Sequence, residues 1–286
     1  MATQQEKWDV LKILNWTKGY LAEKGVENPR LEAEWLLCEA LSLDRVGLYL
    51  NFDKPLSDAE LASYRSMVTR RAKREPLQYI LGSQEFMGLD FQVTPAVLIP
   101  RHDTEVLVTE AVNRGQSARS ILDIGAGSGC VAVAIAKALP AAEVCAVDIS
   151  AEALAVARAN AERHEASVQF FQGSLLEPFA GRRFDMIVSN PPYIPKAELE
   201  TLQPEVRAFE PQNALDGGVD GLDFYRTIVA GAPDHLNPGG WLLFEVGAGQ
   251  APDVLGLLKD AGFTEGCFTA QDPAEIERVA GGRLAG

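Results

Sequence analysis

Residues 120–150 read SILDIGAGSGCVAVAIAKALPAAEVCAVDIS: a strand-like run, a glycine-rich turn, a helix-like run, then a second strand-like run ending on an acid. The alternation continues downstream through AEALAVARANAERH (151–164), VQFFQG (168–173), FDMIVSN (184–190) and, after a long insertion, GWLLFEVG (240–247). Short apolar runs alternating with amphipathic ones predict a parallel α/β sheet with helices on both faces. A further helix over 250–261 and two late strands near 263–269 and 278–285 would complete the sheet. Upstream, the period changes. Over residues 6–75 apolar side chains recur at helical spacing, as in Leu31, Trp35 and Cys38. Asn28-Pro29 fits an N-cap followed by N1, and Ser57 to Glu60 fits a capping box. Residues 84–99 turn β-like around Gly88, as a hairpin would. The expected division is a helical domain over 1–83, a hairpin linker over 84–100 and an α/β domain over 101–286.

Composition narrows the function. A chain of 286 residues with 47% hydrophobic side chains can bury a sizeable core. The N-terminus MATQQEKWDV lacks a secretory apolar run, and no stretch reaches the ~20 apolar residues that span a bilayer, so a cytoplasmic protein without a membrane partner is expected. Cys38, Cys130, Cys145 and Cys267 are scattered, with no C-x-x-C pair or histidine cluster, and read as reduced core thiols rather than metal ligands. The net charge of −14 argues against nucleic acid as a direct partner. The one basic run, Arg70-Arg71-Ala72-Lys73-Arg74, reads as a solvated helix C-terminus complementing the helix dipole.

In such sheets ligands gather at the carboxyl ends of the strands. After the first strand, Gly125, Gly127 and Gly129 allow a tight turn with backbone close to a ligand, and free N–H groups of the next helix come directly after it. The second strand ends at Asp148, where a carboxylate suits ribose hydroxyls; its structural alternative, capping the next helix, is already filled by Ser150. A nucleoside cofactor is expected. A nicotinamide dinucleotide calls for G-x-G-x-x-G, but position 130 is Cys. S-adenosylmethionine, which has no pyrophosphate, suits the looser turn.

The fourth strand runs into Ser189-Asn-Pro-Pro-Tyr-Ile-Pro195. Pro191 excludes the α conformation at Asn190, and two consecutive prolines have no N–H to donate. What remains is a set of acceptors, the Asn190 side-chain oxygen and the Pro191 carbonyl, that can bind both hydrogens of a planar NH2 group while Tyr193 packs on its face. A conjugated nitrogen is a poor nucleophile, and holding both hydrogens this way favours pyramidalisation and aims its lone pair at a methyl donor.

With these pieces in view, the sequence resembles the release factor glutamine methyltransferases of the PrmC/HemK type over essentially its whole length. The matching stretches are REPLQYILG (74–82), IPRHDTEVLV (99–108), LDIGAGSG (122–129), VDIS (147–150), SNPPYIP (189–195), FEPQNALDGGVDGLDFYR (209–226) and GGWLLFEVG (239–247). The resemblance implies a Rossmann-like class I S-adenosylmethionine-dependent methyltransferase domain with a seven-stranded, mostly parallel sheet behind a small helical bundle that recognises the substrate. It implies methyl transfer to the side-chain nitrogen of the Gly-Gly-Gln glutamine in class 1 peptide-chain release factors. Carried over by position, Gly125, Ala126, Gly127, Ser128, Gly129, Asp148, Leu175 and Asn190 would hold the cofactor. Asn190, Pro191, Pro192 and Tyr193 would bind the glutamine, with Asn190, Pro191 and Tyr193 in the catalytic role. Two departures stand out: His102 where proline is usual, and Ser174-Leu175 where an acidic and an aromatic residue often meet the adenine, leaving Leu175 to supply apolar contact. The alternatives are an amino-group methyltransferase acting on nucleic acid bases, which shares the D/N-P-P-Y/F chemistry, and a noncatalytic module on the same scaffold.

Overall fold

A computed structural model describes residues 8–286; the first seven residues, on which the reading of the N-terminus partly rests, lie outside it. The described chain forms two compact units, one comprising the residues up to Gly82 together with Pro204–Phe209, the other Ser83–Gln203 with Glu210–Gly286.

The first unit contains α1 (Val10–Glu23), α2 (Pro29–Leu41), α3 (Arg45–Leu50), α4 (Asp58–Ala72) and α5 (Leu77–Leu81). Its core gathers Val10, Leu21, Leu36, Leu37, Leu48 and Tyr64. Helix α4 starts in a complete capping box: the Ser57 hydroxyl accepts from the Glu60 N–H, and the Glu60 carboxylate accepts from the Ser57 N–H. Pro29 takes the first turn of α2, but the Asn28 side chain makes no cap bond. The stripe expected in α2 is only partly buried. Leu31 and Trp35 are exposed, while Ala33, Leu36, Leu37 and Cys38 are inside. Helix α2 packs against α1, α3, α4 and α5, so its buried residues spread around the helix instead of forming a single stripe. Even Glu34 is buried there, accepting from Arg30 Nε at 3.0 Å, the Tyr49 hydroxyl at 2.7 Å and Arg45 Nη2 at 2.7 Å.

The basic run does place Arg70 and Arg71 in the last turn of α4 and leaves Lys73 exposed, but its arginines are ion-paired rather than simply solvated. Arg71 is buried and ion-paired with Glu32 and with Glu205, and Arg74 Nη2 reaches Glu205 at 2.7 Å. Arg70 pairs with Glu75 at 2.5 Å. Glu205 lies on α9 (Pro204–Phe209), which belongs to this unit although it comes after SNPPYIP in the chain.

The second unit opens with a hairpin, β1 (Ser83–Phe86) against β2 (Leu89–Gln92), turning through Met87 and Gly88, both at positive φ. After α6 (Glu105–Arg114) come β3 (Ser120–Ile124), α7 (Cys130–Ala138), β4 (Glu143–Asp148), α8 (Ala151–Arg163), β5 (Val168–Gln172) and β6 (Phe184–Ser189). The chain continues through α10 (Asp223–His235), β7 (Leu236–Glu245), α11 (Ala251–Asp260), β8 (Glu265–Gln271) and β9 (Glu277–Arg283). Strands β3 to β9 form the seven-stranded sheet, in the order β5-β4-β3-β6-β7-β9-β8. It is parallel from β5 to β7, with β9 antiparallel to both β7 and β8. Neighbouring residues of β3 point to opposite faces, Ile121 toward α6 and α7 and Leu122 toward α10 and α11. The central strands are buried on both sides, which is why their sequences are continuous apolar runs. Among the described residues no helix is long and apolar enough to cross a membrane.

Candidate active site

Strand order reverses between β3 and β6, and the register aligns the residues that end each strand. Ile124 is opposite both Val147 and Ser189, and Ser189 is opposite Phe244. Gly125, Asp148, Asn190 and Glu245 therefore stand side by side at the carboxyl edge, where open α/β sheets bind ligands. A cavity of about 280 Å³ opens there. Its wall includes Gly125, Ala126, Gly127, Ser128, Asp148, Leu175, Asn190, Pro191 and Pro192 of the residues expected from sequence.

The turn after β3 is held by Asp148. Its Oδ2 accepts from the Gly127 N–H at 2.8 Å and its Oδ1 from the Ser150 N–H at 2.9 Å. Ser150 caps α8, accepting from Ala153 N, so Asp148 is not the cap. Gly125 and Gly127 have positive φ within the cavity wall. Gly129, which is outside the cavity wall, has φ +81° and serves packing instead: a Cβ there would sit 3.0 Å from that of Ala157 on α8. Leu175 takes φ +50° in the wall, a conformation that L side chains adopt at a cost of roughly 1–2 kcal/mol.

Tyr193 also lies outside the cavity wall. Its hydroxyl points to Glu245 Oε1 at 3.4 Å, and its carbonyl accepts from Gln250 Nε2 at 2.9 Å. Behind it are glycines: a Cβ on Gly217 would lie 2.8 Å from the Tyr193 Cα, and one on Gly247 3.1 Å from its ring. Ile194 exchanges backbone bonds with 215–217, donating to Leu215 O at 3.0 Å and accepting from the Gly217 N–H at 2.9 Å. The glycines of LDGGVDG thus let the later loop lie directly on SNPPYIP and hold it.

The wall also holds residues that the motifs do not single out: Thr104 before α6, Ile149 after Asp148, Asn213 and Phe224 in the insertion, and Asp123. Glu210 ties two wall segments together, accepting from the Ile99 N–H at 3.2 Å and pairing with Arg101. Asp123 is the most unusual. It is buried, its Oδ2 has no partner, and burial pushes its pKa up to about 7.

Residues 12–82 match the PrmC N-terminal domain, and residues 102–205 the methyltransferase small domain. The chain is 66% identical over 284 residues to the release factor glutamine methyltransferase of Geobacter sulfurreducens, covering 99% of this chain and 100% of that one. The chain belongs to the release factor glutamine methyltransferase family. The Moorella thermoacetica member is 48% identical over 246 residues, covering 85% of this chain and 87% of its own. A methyltransferase from Pyrococcus furiosus shares the fold, with 19% identity, a TM-score of 0.53, and coverage of 76% of this chain and 98% of that one.

Of the two departures in this family member, His102 is exposed, in a short 3₁₀ turn (His102–Thr104), with Nδ1 3.4 Å from Glu105 Oε1, and is absent from the cavity wall. Ser174 and Leu175 both line the cavity.

Asp123 gives a pH prediction. Because its folded pKa lies above the ordinary carboxylate value, the folded chain holds the proton more tightly than the unfolded one. Stability from this group is therefore greatest below the unfolded pKa and is lost as pH rises toward about 7. Asp123→Asn, a neutral isostere, should stabilise the ligand-free protein more at pH 8 than at pH 5, by on the order of 2 kcal/mol. Urea melts at both pH values check this; an equal shift at both would show that Asp123 is not held protonated.

Proposed function

We propose that the cavity binds S-adenosylmethionine and that Asn190 and the prolines after it present the glutamine amide of a release factor's Gly-Gly-Gln motif to its methyl group. The observation that carries this reading is the register that sets Gly125, Asp148 and Asn190 on neighbouring strand ends around one cavity. The residues present fit the cofactor. A buried carboxylate oxygen without a partner, on Asp123, suits a ligand with cationic groups, and S-adenosylmethionine carries an ammonium and a sulfonium. The Asp148 oxygens each accept one N–H and retain a lone pair for a ribose hydroxyl. Leu175 and Ile149 offer apolar contact for the adenine.

When bound, the cofactor supplies an electrophilic methyl group. The chain's part is positioning and electrostatics. Asn190 Oδ1 and the Pro191 carbonyl accept the two amide hydrogens, and neither proline has an N–H to compete. Tyr193, anchored by Gln250 and the glycines, keeps that pair in place. The proton released on methylation passes to water. The helical unit recognises the release factor; its exposed Trp16 and Trp35 are the kind of side chain that protein interfaces favour. A cytoplasmic location, where release factors work, belongs to the same reading.

The test is methyl transfer from labelled cofactor to a release factor, beside a control whose Gly-Gly-Gln glutamine is replaced by alanine, and beside DNA and RNA. Label should enter the parent factor alone. Label in the glutamine-free control, or in nucleic acid instead, would refute the reading. Asp148→Ala should weaken S-adenosylmethionine binding by roughly 1.5–3 kcal/mol, the worth of a hydrogen bond to a charged group. Calorimetry measures it; unchanged affinity in a folded variant would confine Asp148 to holding the turn.

A further inference from the structure

Asp123 is set in the wall of the cavity with nothing to neutralise it. It is 2% exposed, and its Oδ2 makes no hydrogen bond. Its partners across the sheet are apolar, Ala146 on β4 and Val188 on β6. The titratable groups that bear on it from other elements are the Asp148 carboxylate at the end of β4, which disfavours a second negative charge, and the Cys130 thiol at the start of α7, which burial keeps neutral by pushing its pKa up to about 12. Glu245, at the end of β7, is a third acid on the same edge of the sheet and brings no positive charge. Among the described residues no lysine, arginine or histidine acts on Asp123. A buried carboxyl in such surroundings keeps its proton, and its pKa is pushed up to about 7.

We propose that cofactor binding is an exchange at Asp123, which carries a proton in the ligand-free site and gives it up to solvent as it takes the ammonium of S-adenosylmethionine. The inference rests on the reading of the cavity as the cofactor site. In the exchange the O–H bond of Asp123 breaks, its electron pair stays on the carboxylate, and the proton leaves to bulk water. Hydrogen bonding decides which of the two cations is taken. An orphan acceptor needs a donor, and an ammonium has three N–H groups where a sulfonium has none. The buried group is then a neutral acid before binding and half of an ion pair after it, so no uncompensated charge stands in the wall at either stage. Two consequences follow for selectivity. Below the pKa of the ligand-free acid a proton competes with the cofactor, and a nucleoside that lacks the ammonium cannot discharge Asp123 at all.

Calorimetry on the full chain at pH 6, in two buffers of different ionisation enthalpy, counts the protons released on binding. S-adenosylmethionine and S-adenosylhomocysteine both carry the ammonium, and each should release close to one proton from the parent. Their affinity should rise about eightfold between pH 5.5 and pH 6.5, the linkage expected of one acid with a ligand-free pKa of about 7. Methylthioadenosine, which lacks the ammonium, should release no proton and bind equally at both pH values. Asp123→Asn cannot titrate and should release none with any of the three. Should that variant fail to fold or to bind, the contrast between S-adenosylhomocysteine and methylthioadenosine on the parent decides alone. Proton release by methylthioadenosine, release by S-adenosylmethionine but not by S-adenosylhomocysteine, undiminished release from folded Asp123→Asn, or cofactor binding without any release overturns the proposal and leaves the cofactor reading standing. A parent that does not bind S-adenosylmethionine at any pH overturns that reading and this inference with it.

Discussion

Replacing Asn190 by alanine should slow single-turnover methyl transfer to a release factor about 100- to 1,000-fold, the usual cost of removing one preorganised polar contact that acts in the transition state. The fold should survive, because Asn190 stands after β6 and its side chain makes one hydrogen bond, to Thr104. Pro191 and the backbone of Ile194 would still hold the loop. Asn190→Asp is the sharper comparison. A carboxylate keeps the acceptor for the substrate but cannot donate to Thr104 Oγ1, so it loses the hydrogen bond that the asparagine side chain makes there. The expected order is asparagine, then aspartate, then alanine. Alanine as fast as the parent in a folded protein would remove Asn190 from the chemistry.

Gly221→Ala should be nearly as damaging, although Gly221 is absent from the cavity wall. It has φ +78°, where an L residue costs about 1–2 kcal/mol. Its new Cβ would fall inside contact distance of the Tyr193 carbonyl oxygen and 2.6 Å from Gln250 Nε2, the pair whose hydrogen bond anchors the motif. Backbone cannot yield as a flexible side chain would, so the 189–195 segment must shift. A displacement of about 1 Å at a reacting group can cost about 100-fold in rate. The variant should therefore lose on the order of 100-fold in turnover and about 2 kcal/mol or more of stability. Cofactor affinity should change far less, since Gly125 and Asp148 are held by other bonds. Activity within a factor of about two of the parent would show that the glycine contact does not position the motif.

Much of this site is legible in the sequence because strand ends are marked twice, by an apolar run and by the polar residue that breaks it. The run ending in Asp148 and the run ending in Asn190 both lead to the cavity wall. The same rule applied to SILDI and to WLLFEV points to Asp123 and Glu245, acids set inside apolar strands where only a partner or a raised pKa tolerates them. Thr104 carries no such mark, since a threonine before a helix reads as a cap. Gly129 and Tyr193 illustrate a different limit: a motif shows which residues are needed together, while whether each one lines a cavity or packs behind it depends on neighbours distant in sequence, here Ala157 and Gln250. The arginine run misleads for the same reason. Its partner Glu205 is 134 residues from Arg71, far beyond any local pattern.

That separation also bears on how the chain is made. A ribosome releases the protein from its N-terminus, and domains commonly fold as they emerge. Helices α1 to α5 will all have emerged long before α9, which comes after β6 in the chain. Until then Arg71 has Glu32 but lacks Glu205, and Arg74 lacks its carboxylate altogether. The helical unit therefore reaches the tunnel exit first and is completed late, after the strands that carry Gly125, Asp148 and Asn190 have been synthesised. The nascent chain cannot finish one unit before beginning the other, so the last ion pairs of the first unit report that β3, β4 and β6 have already been laid down.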